Sequence, residues 1–298
     1  MKKTSFSEET KSELFEPLPK APCCRKSLAY GIFSGSNIND RDNIEFETDS
    51  HSLVEIASKL ATEVFGGVVG LHEVVLNRKK KYRMSITKKR ARKTLLELHL
   101  SDDEISSVLE FKCAHCASSF IRGVFLASGT ITNPNNAFHL ELSFTSLDIL
   151  EKTASLLFEN GINMRTVQRK DRVSLYCKEG SVLEDFMAFV GANRAMFEIM
   201  NSKIIREIRN NENRIANCEA NNIAKAVSAS GKHVDAIEKL RSMDRLSVLP
   251  AELRETAELR IKYKSLSLAE LGAMMNPPIS KSGVNHRLNK IIEIADKN

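Results

Sequence analysis

The residues most suggestive of chemistry are cysteines. Cys113, His115 and Cys116 form a C-x-H-C cluster, and Cys23 and Cys24 form an adjacent pair. Thiolates and imidazoles at such short spacing are zinc ligands in many small sites, and the two groups together would complete one. A structural zinc site normally shows two clean pairs at a defined spacing, which this chain lacks, so the expectation is of small residues at helix starts, with no metal and no other cofactor. Cys177 and Cys218 stand alone and read as packing residues. Six cysteines in 298 residues are too few for a disulfide scaffold.

The second chemical signal is charge. The chain carries 44 Lys and Arg against 38 Asp and Glu, a net +6. From Arg78 to Lys93 it reads RKKKYRMSITKKRARK, ten basic residues and no acidic one, so +6 less this window's +10 leaves −4 elsewhere. Ten like charges in sixteen residues repel one another, and a polyanion that displaces counterions relieves them best. An anionic membrane is the weaker partner, because the window lacks an apolar face with aromatic anchors. Arg78, Lys79, Lys80, Lys81, Arg83, Lys88, Lys89 and Arg90 are the candidate phosphate contacts. No apolar run approaches the roughly 18 residues that span a bilayer, and the polar N-terminus MKKTSFSEET does not read as a leader; a cytoplasmic, nucleoid-associated protein is expected.

These residues need elements to position them, and an internal repeat supplies those elements. Ala29 to Asn37, AYGIFSGSN, aligns without gaps on Ile121 to Gly129, IRGVFLASG, at an offset of 92. Each copy continues with a strand (NIEFET, FHLELSFT) and an amphipathic helix (Leu53 to Phe65, Leu150 to Phe158). A hairpin follows: Glu73 to Leu76 with Tyr82 to Ile86, then Arg165 to Gln168 with Arg172 to Tyr176. A closing helix ends each copy, Ala91 to Leu98 and Val182 to Val190. The helices match at an offset of 97, so the second copy has five extra residues, placed in the loop ITNPNNA. A unit of this length occurring twice predicts a pseudo-twofold α+β domain of two α-β-β-α-β-β-α halves. Gly31 with Gly35, and Gly123 with Ala127, would give each repeated helix a small-residue stripe that lets two backbones approach closely.

The paired helices resemble the LAGLIDADG motif of homing endonucleases, whose halves pack by those helices over a DNA-binding saddle of strands. Aligning glycines puts Gly31 and Gly123 at the motif's first glycine, Asn37 and Gly129 at its last. The acidic position that holds the divalent metals in the nucleases then falls on Ser36 and Ser128. Metal-assisted phosphodiester hydrolysis needs hard carboxylate oxygens on both sides. Asp40 and Asp42 lie beyond the first helix, and the second copy has no Asp or Glu between Glu110 and Glu141. The expectation is a kept scaffold, lost cleavage chemistry and no catalytic residue.

After Met196 strand patterns vanish and polar helices are expected, with Ile199, Lys203, Arg206, Asn210 and Arg214 on one basic, amide-rich face. Pro250 opens a helix to about Tyr263 with Leu253, Ala257 and Ile261 on its buried side. Ser267 and Glu270 form a capping box for a short helix ending near Met275, the turn Asn276-Pro277-Pro278 stops it, and Ser280 caps a third helix whose core stripe is Val284, Leu288, Ile291 and Ile292. Three helices with a tight middle turn predict an all-α helix-turn-helix domain. Ser282, Asn285 and His286 are its candidates for reading base edges, and Lys281, Arg287 and Lys290 suit phosphates.

Read in order, FSEETKSEL, the Cys-Cys pair, IRGVFLASGTITNP, EIRNNENRIANCEANN and LAELGAMMNPPISKSGVNHRLNKI resemble the WhiA family of bacterial sporulation regulators over essentially the full length. The resemblance implies a degenerate LAGLIDADG domain followed by a helix-turn-helix, in a transcription regulator linked to cell division, chromosome segregation and, in sporulating relatives, septation. The expected division is a LAGLIDADG-like domain over 1–195, with halves of about 1–105 and 106–195, a helical linker over 196–245 and the helix-turn-helix domain over 246–298. The expected partner is double-stranded DNA, bound by a monomer that meets the transcription machinery and no membrane. An active site-specific endonuclease is the alternative, and a basic face that recruits RNA or protein is a third reading.

Overall fold

The structure is a computed structural model that describes residues 4–38, 44–67, 70–76, 79–87, 89–169 and 172–297. Packing divides the chain into two units, Met1–Arg206 and Glu207–Asn298.

The first unit is the expected duplication. Its first half runs α2 (Pro22–Phe33), β1 (Asn37–Ile38), β2 (Ile44–Thr48), α3 (His51–Leu60, relaxing into a π turn over Ala61–Phe65), β3 (Gly70–Leu76), β4 (Lys79–Ile86) and α4 (Lys89–Leu100). After a short α5 (Ile105–Val108), the second half repeats the order as α6 (His115–Ser128), β5 (Gly129–Ile131), β6 (Leu140–Phe144), α7 (Leu147–Glu159), β7 (Arg165–Arg169), β8 (Arg172–Cys177) and α8 (Gly180–Val190). The sheets correspond too, one antiparallel with order β1-β2-β4-β3 and the other β5-β6-β8-β7. Alternation along each strand sends one set of side chains to the core: Ile44, Phe46, Met84 and Ile86 in one half, Leu140, Leu142, Phe144 and Leu175 in the other, are all buried.

Glycine makes the central helix pair possible. A Cβ on Gly123 would lie 2.7 Å from Ile32 N and 2.9 Å from Gly31 Cα, and one on Gly31 would overlap the Phe120 carbonyl oxygen. The expected small-residue stripe is corrected to this single crossing, because Gly35 lies in the turn after α2 with open space around its Cβ position.

The sequence reading did not anticipate α1 (Phe6–Phe15), opened by a capping box between Ser5 and Glu8. It lies along α6, where Arg122 Nε donates to Leu14 O at 3.0 Å. Its Glu13 carboxylate accepts the backbone N–H groups of Arg194 (2.7 Å) and Ala195 (3.2 Å), the orphan donors at the start of α9 (Asn193–Ser242). The first turns of α9 complete the unit. Ile199 is fully buried, Ser202 donates to Asn135 Oδ1 at 2.8 Å, and the Arg206 guanidinium stacks 4.0 Å from the Phe138 ring centre. The five-residue insertion of the second copy therefore docks α9, and the stripe from Ile199 to Arg206 is a packing surface; only its continuation, Asn210 and Arg214, is exposed.

In the second unit, α10 (Ala251–Lys262), α11 (Leu268–Ala273) and α12 (Lys281–Asp296) enclose a core with Ala236, Ile237 and Leu240 from the end of α9. Both expected caps form: Ser267 and Glu270 bond reciprocally, and Ser280 Oγ accepts from Gly283 N. Leu253, Ala257, Val284, Leu288 and Ile291 are buried in this core as expected, Ile261 and Ile292 pack against it partly buried, and Thr256, Arg260 and Ala295 are buried beside them. The Arg260 guanidinium satisfies its charge on carbonyls, chiefly Leu266 O at 2.8 Å, and so ties the α10–α11 turn to the core.

Candidate nucleic-acid interface

Where the C-terminal ends of α2 and α6 meet the two sheets of the first unit there is an open hollow of about 480 Å³. On β4 the odd-numbered side chains Lys81, Arg83 and Ser85 face away from buried Met84 and Ile86, beside Glu45 and Glu47 of β2. On β8 Arg172 and Tyr176 face away from Leu175 and Cys177 in the same manner, next to Arg165 of β7. Lys81 and Arg172 thus enter the hollow from opposite halves. Arg165 and Arg172 were not among the expected contacts; an isolated arginine at a strand end carries no signal until the register shows which face it occupies.

The basic window divides by face. Lys81 and Arg83 stand on the open side, with Arg83 Nε bonded to Glu47 at 2.7 Å. Lys80 belongs to the opposite face and is paired with Glu73 at 2.7 Å. Lys89 and Arg90 lie exposed in the first turn of α4. Arg78, Lys88 and the Lys79 side chain lie outside the described residues, as do Asp40 and Asp42.

Ser36 and Ser128, the positions where the sequence motif led to an expected replacement of carboxylates, carry hydroxyls. Ser128 donates to Val124 O at 3.1 Å, and buried Ser36 Oγ has no partner among the described residues. The hollow does hold carboxylates that the repeat had not revealed, Glu45, Glu47 and Asp49, but all belong to the first half; the second half lines it with Ala127, Ser128, Gly129, Thr130, Ser143, Phe144, Thr145 and Arg172. Lys11 of α1 reaches into the same space, 5.9 Å from the Phe125 ring centre. Burial lowers the Lys11 pKa, and the charges of Asp49 and Glu8 partly oppose that shift.

In the second unit α12 turns Val284, Leu288 and Ile291 inward and exposes Ser282, Asn285, His286, Asn289 and Lys290 on one face, with Lys281 at its start. Arg287 is turned back onto α10, 3.3 Å from Glu252, with only 18% of its side chain exposed, so of the three expected phosphate contacts here Lys281 and Lys290 stand free. Gly272 lets α11 meet the loop ahead of α12, where Ile279 N donates to Gly272 O at 3.0 Å; a Cβ there would overlap the Ile279 carbonyl.

The cysteine groups also come together. The Sγ atoms of Cys23, Cys24, Cys113 and Cys116 all lie within 4.8 Å of one another, whereas His115 is not in the group. The Cys113 thiol is lowered to about 7 by a hydrogen bond from Cys24 and another from the His115 backbone, and burial pushes Cys24 up to about 12.

A duplicated α-β-β-α-β-β-α body of LAGLIDADG type, followed by a three-helix helix-turn-helix unit, defines the class. Family models agree with both parts: the WhiA LAGLIDADG-like domain matches residues 117–209 and the WhiA C-terminal HTH domain residues 213–295. "Probable cell division protein WhiA" of Clostridium botulinum (strain Hall) is 34% identical over 98% of each chain, and the protein of the same name from Caldicellulosiruptor saccharolyticus is 32% identical over 98% of this chain and 95% of its own. Among solved structures, full-length DUF199/WhiA from Thermatoga maritima shares the fold with a TM-score of 0.62 at 24% identity, over 99% of both chains. The chain belongs to the WhiA family.

No helix among the described residues is long and apolar enough to cross a membrane.

Proposed function

We propose that this chain is a sequence-specific, double-stranded-DNA-binding transcription regulator that acts in cell division and chromosome segregation and has lost the cleavage chemistry of its scaffold. The observation that carries this reading is the polar face of α12. Ser282, Asn285 and His286 stand exposed in the N-terminal half of the third helix of a helix-turn-helix unit, the part that enters a major groove. Amide, hydroxyl and imidazole groups there can match the donor and acceptor pattern of base edges, and Lys281 and Lys290 flank them for phosphates.

The first unit supplies sequence-independent grip. Lys81 and Arg172 face the hollow from both halves. Lys89 and Arg90 open α4, where the helix dipole disfavours positive charge by roughly 0.3–1 kcal/mol each, a cost a bound phosphate removes. Loss of cleavage is supported by the serines at both metal positions and by Lys11 among carboxylates that come from one half only. The role in cell division rests on the names of the relatives. Binding as a monomer, association with the nucleoid and contact with the transcription machinery belong to the same reading.

The endonuclease alternative draws on Glu45, Glu47 and Asp49. Selecting bound duplexes from a random pool, then incubating them with the full chain and magnesium, decides the matter. The proposal expects one enriched sequence, recovered intact, with Asn285→Ala and His286→Ala changing which sequence is enriched. Cut DNA establishes the endonuclease. Equal binding of RNA and duplex DNA, or an unchanged preference in both variants, rejects the regulator.

A further inference from the structure

We propose that Cys23, Cys24, Cys113 and Cys116 bind one zinc ion as a tetrathiolate, clamping the N-terminal ends of the two central helices. This departs from the metal-free expectation of the sequence, because the missing regularity is supplied in space. Two thiols come from each half, and all four sulfurs are mutual neighbours. Zinc–thiolate bonds of about 2.3 Å in a tetrahedron place the sulfurs roughly 3.8 Å apart. Cys113 lies 3.7 Å from Cys23, 3.3 Å from Cys24 and 3.6 Å from Cys116. A disulfide requires about 2.05 Å, and these contacts converge on one cysteine instead of resolving into two pairs.

Packing does not account for the cluster. A free cysteine that acts as a small hydrophobe is buried, and Cys24 and Cys116 are, but Cys113 is exposed and Cys23 is partly so. The cluster departs from the symmetry of the repeat. At the offset of 92, Cys24 corresponds to Cys116, and Cys23 to His115. The histidine stays out of the group, and Cys113, one helical turn earlier, takes the fourth place. Cys113 and Cys116 form a C-x-x-C knuckle closed by Cys116 N donating to Cys113 O at 3.1 Å. Cys23 and Cys24 lie in the first turn of α2 and Cys116 in that of α6, where the helix dipole favours thiolates. Lys26 and Lys112 border the same surface as Cys23 and oppose the net negative charge of a zinc tetrathiolate.

The clamp lies two helical turns before the Gly31–Gly123 crossing and at the opposite end of the helices from the hollow. Four thiolates on a d¹⁰ ion form a closed site with no open position for substrate, so its work is structural: it fixes the angle at which the halves, and with them Lys81 and Arg172, are presented.

The test uses the full chain purified anaerobically from zinc-replete cells. Elemental analysis is expected to find one zinc per chain, cobalt exchange to give the visible d–d and near-ultraviolet charge-transfer bands of a tetrathiolate, and a chelator with a mercurial to lower Tm. Cys24→Ser and Cys113→Ser should lose the metal, while His115→Ala keeps it. If the serine variants fail to fold, the wild-type zinc content and cobalt spectrum decide. A folded wild-type chain with four titratable thiols and no metal, two disulfides found by mass, iron in place of zinc, or zinc retained by both serine variants would overturn the proposal.

Discussion

At the scale of single residues, a few positions leave side-chain chemistry no room for substitution. Gly123 faces backbone on all sides, so Gly123→Ala forces the central helices apart and should cost about 2–3 kcal/mol. Gly35→Ala meets open space and should change stability by less than about 0.5 kcal/mol. Urea unfolding of the pair checks this directly, and equal costs would mean that the crossing is looser than it looks. His99 gives a pH-dependent counterpart. Burial holds its imidazole below the usual value of 6.5, although Nε2 donates to Ser34 O at 2.8 Å. The unfolded chain takes up this proton at a higher pH than the folded one, so its contribution is complete above about pH 6.5 and is lost as pH falls through the folded value. Removing it with His99→Gln should shrink the fall in Tm between about pH 7.5 and 5.5; an unchanged fall assigns the effect elsewhere, for instance to His233, which burial also lowers. Residue-scale facts were the least legible in the sequence. Arg260 reads as a solvated charge because it is an arginine, yet it is only 2% exposed, and nothing local says that carbonyls of the following turn will receive it.

At the scale of elements, the duplication was readable because two copies constrain one another: a strand or helix assigned in one must recur in the other. The order α-β-β-α-β-β-α follows from that, as do the caps at Ser267 and Ser280, whose hydrogen bonds are local. What the repeat could not show is what lies outside it. Helix α1 has no counterpart in the second half, and the reach of Lys11 into the hollow is a tertiary contact with no sequence spacing to betray it. The basic window was legible as charge but not as geometry, since only strand register assigns Lys81 to the open face and Lys80 to the other. Ser280→Ala removes the bond to Gly283 N and should destabilise the second unit by about 1 kcal/mol. Because α12 carries the proposed base-reading face, the same variant should weaken specific binding more than nonspecific binding, a comparison made by titrating the selected duplex and a scrambled one. Equal losses would point to grip from the first unit alone.

At the scale of the whole molecule, a modest net charge conceals a division of labour between a duplicated body that presents cations and a helical unit that presents amides and hydroxyls. In the proposed reading, Ser36 and Ser128 interrupt cleavage chemistry in both halves while the scaffold still presents cations to DNA. In the proposed mode of binding the first unit grips duplex DNA through its phosphates and the second reads its bases. The most direct measurement is the dependence of binding on salt, as the slope of log K against log salt concentration, for the wild-type chain, Lys81→Ala/Arg172→Ala and Asn285→Ala on the selected duplex. Each phosphate contact contributes a slope of about −0.9, so the double variant should lose between roughly one and two units of slope with its sequence preference intact, whereas Asn285→Ala should keep the wild-type slope and lose preference. A wild-type slope near zero, or a double variant as steep as the wild type, would contradict the account.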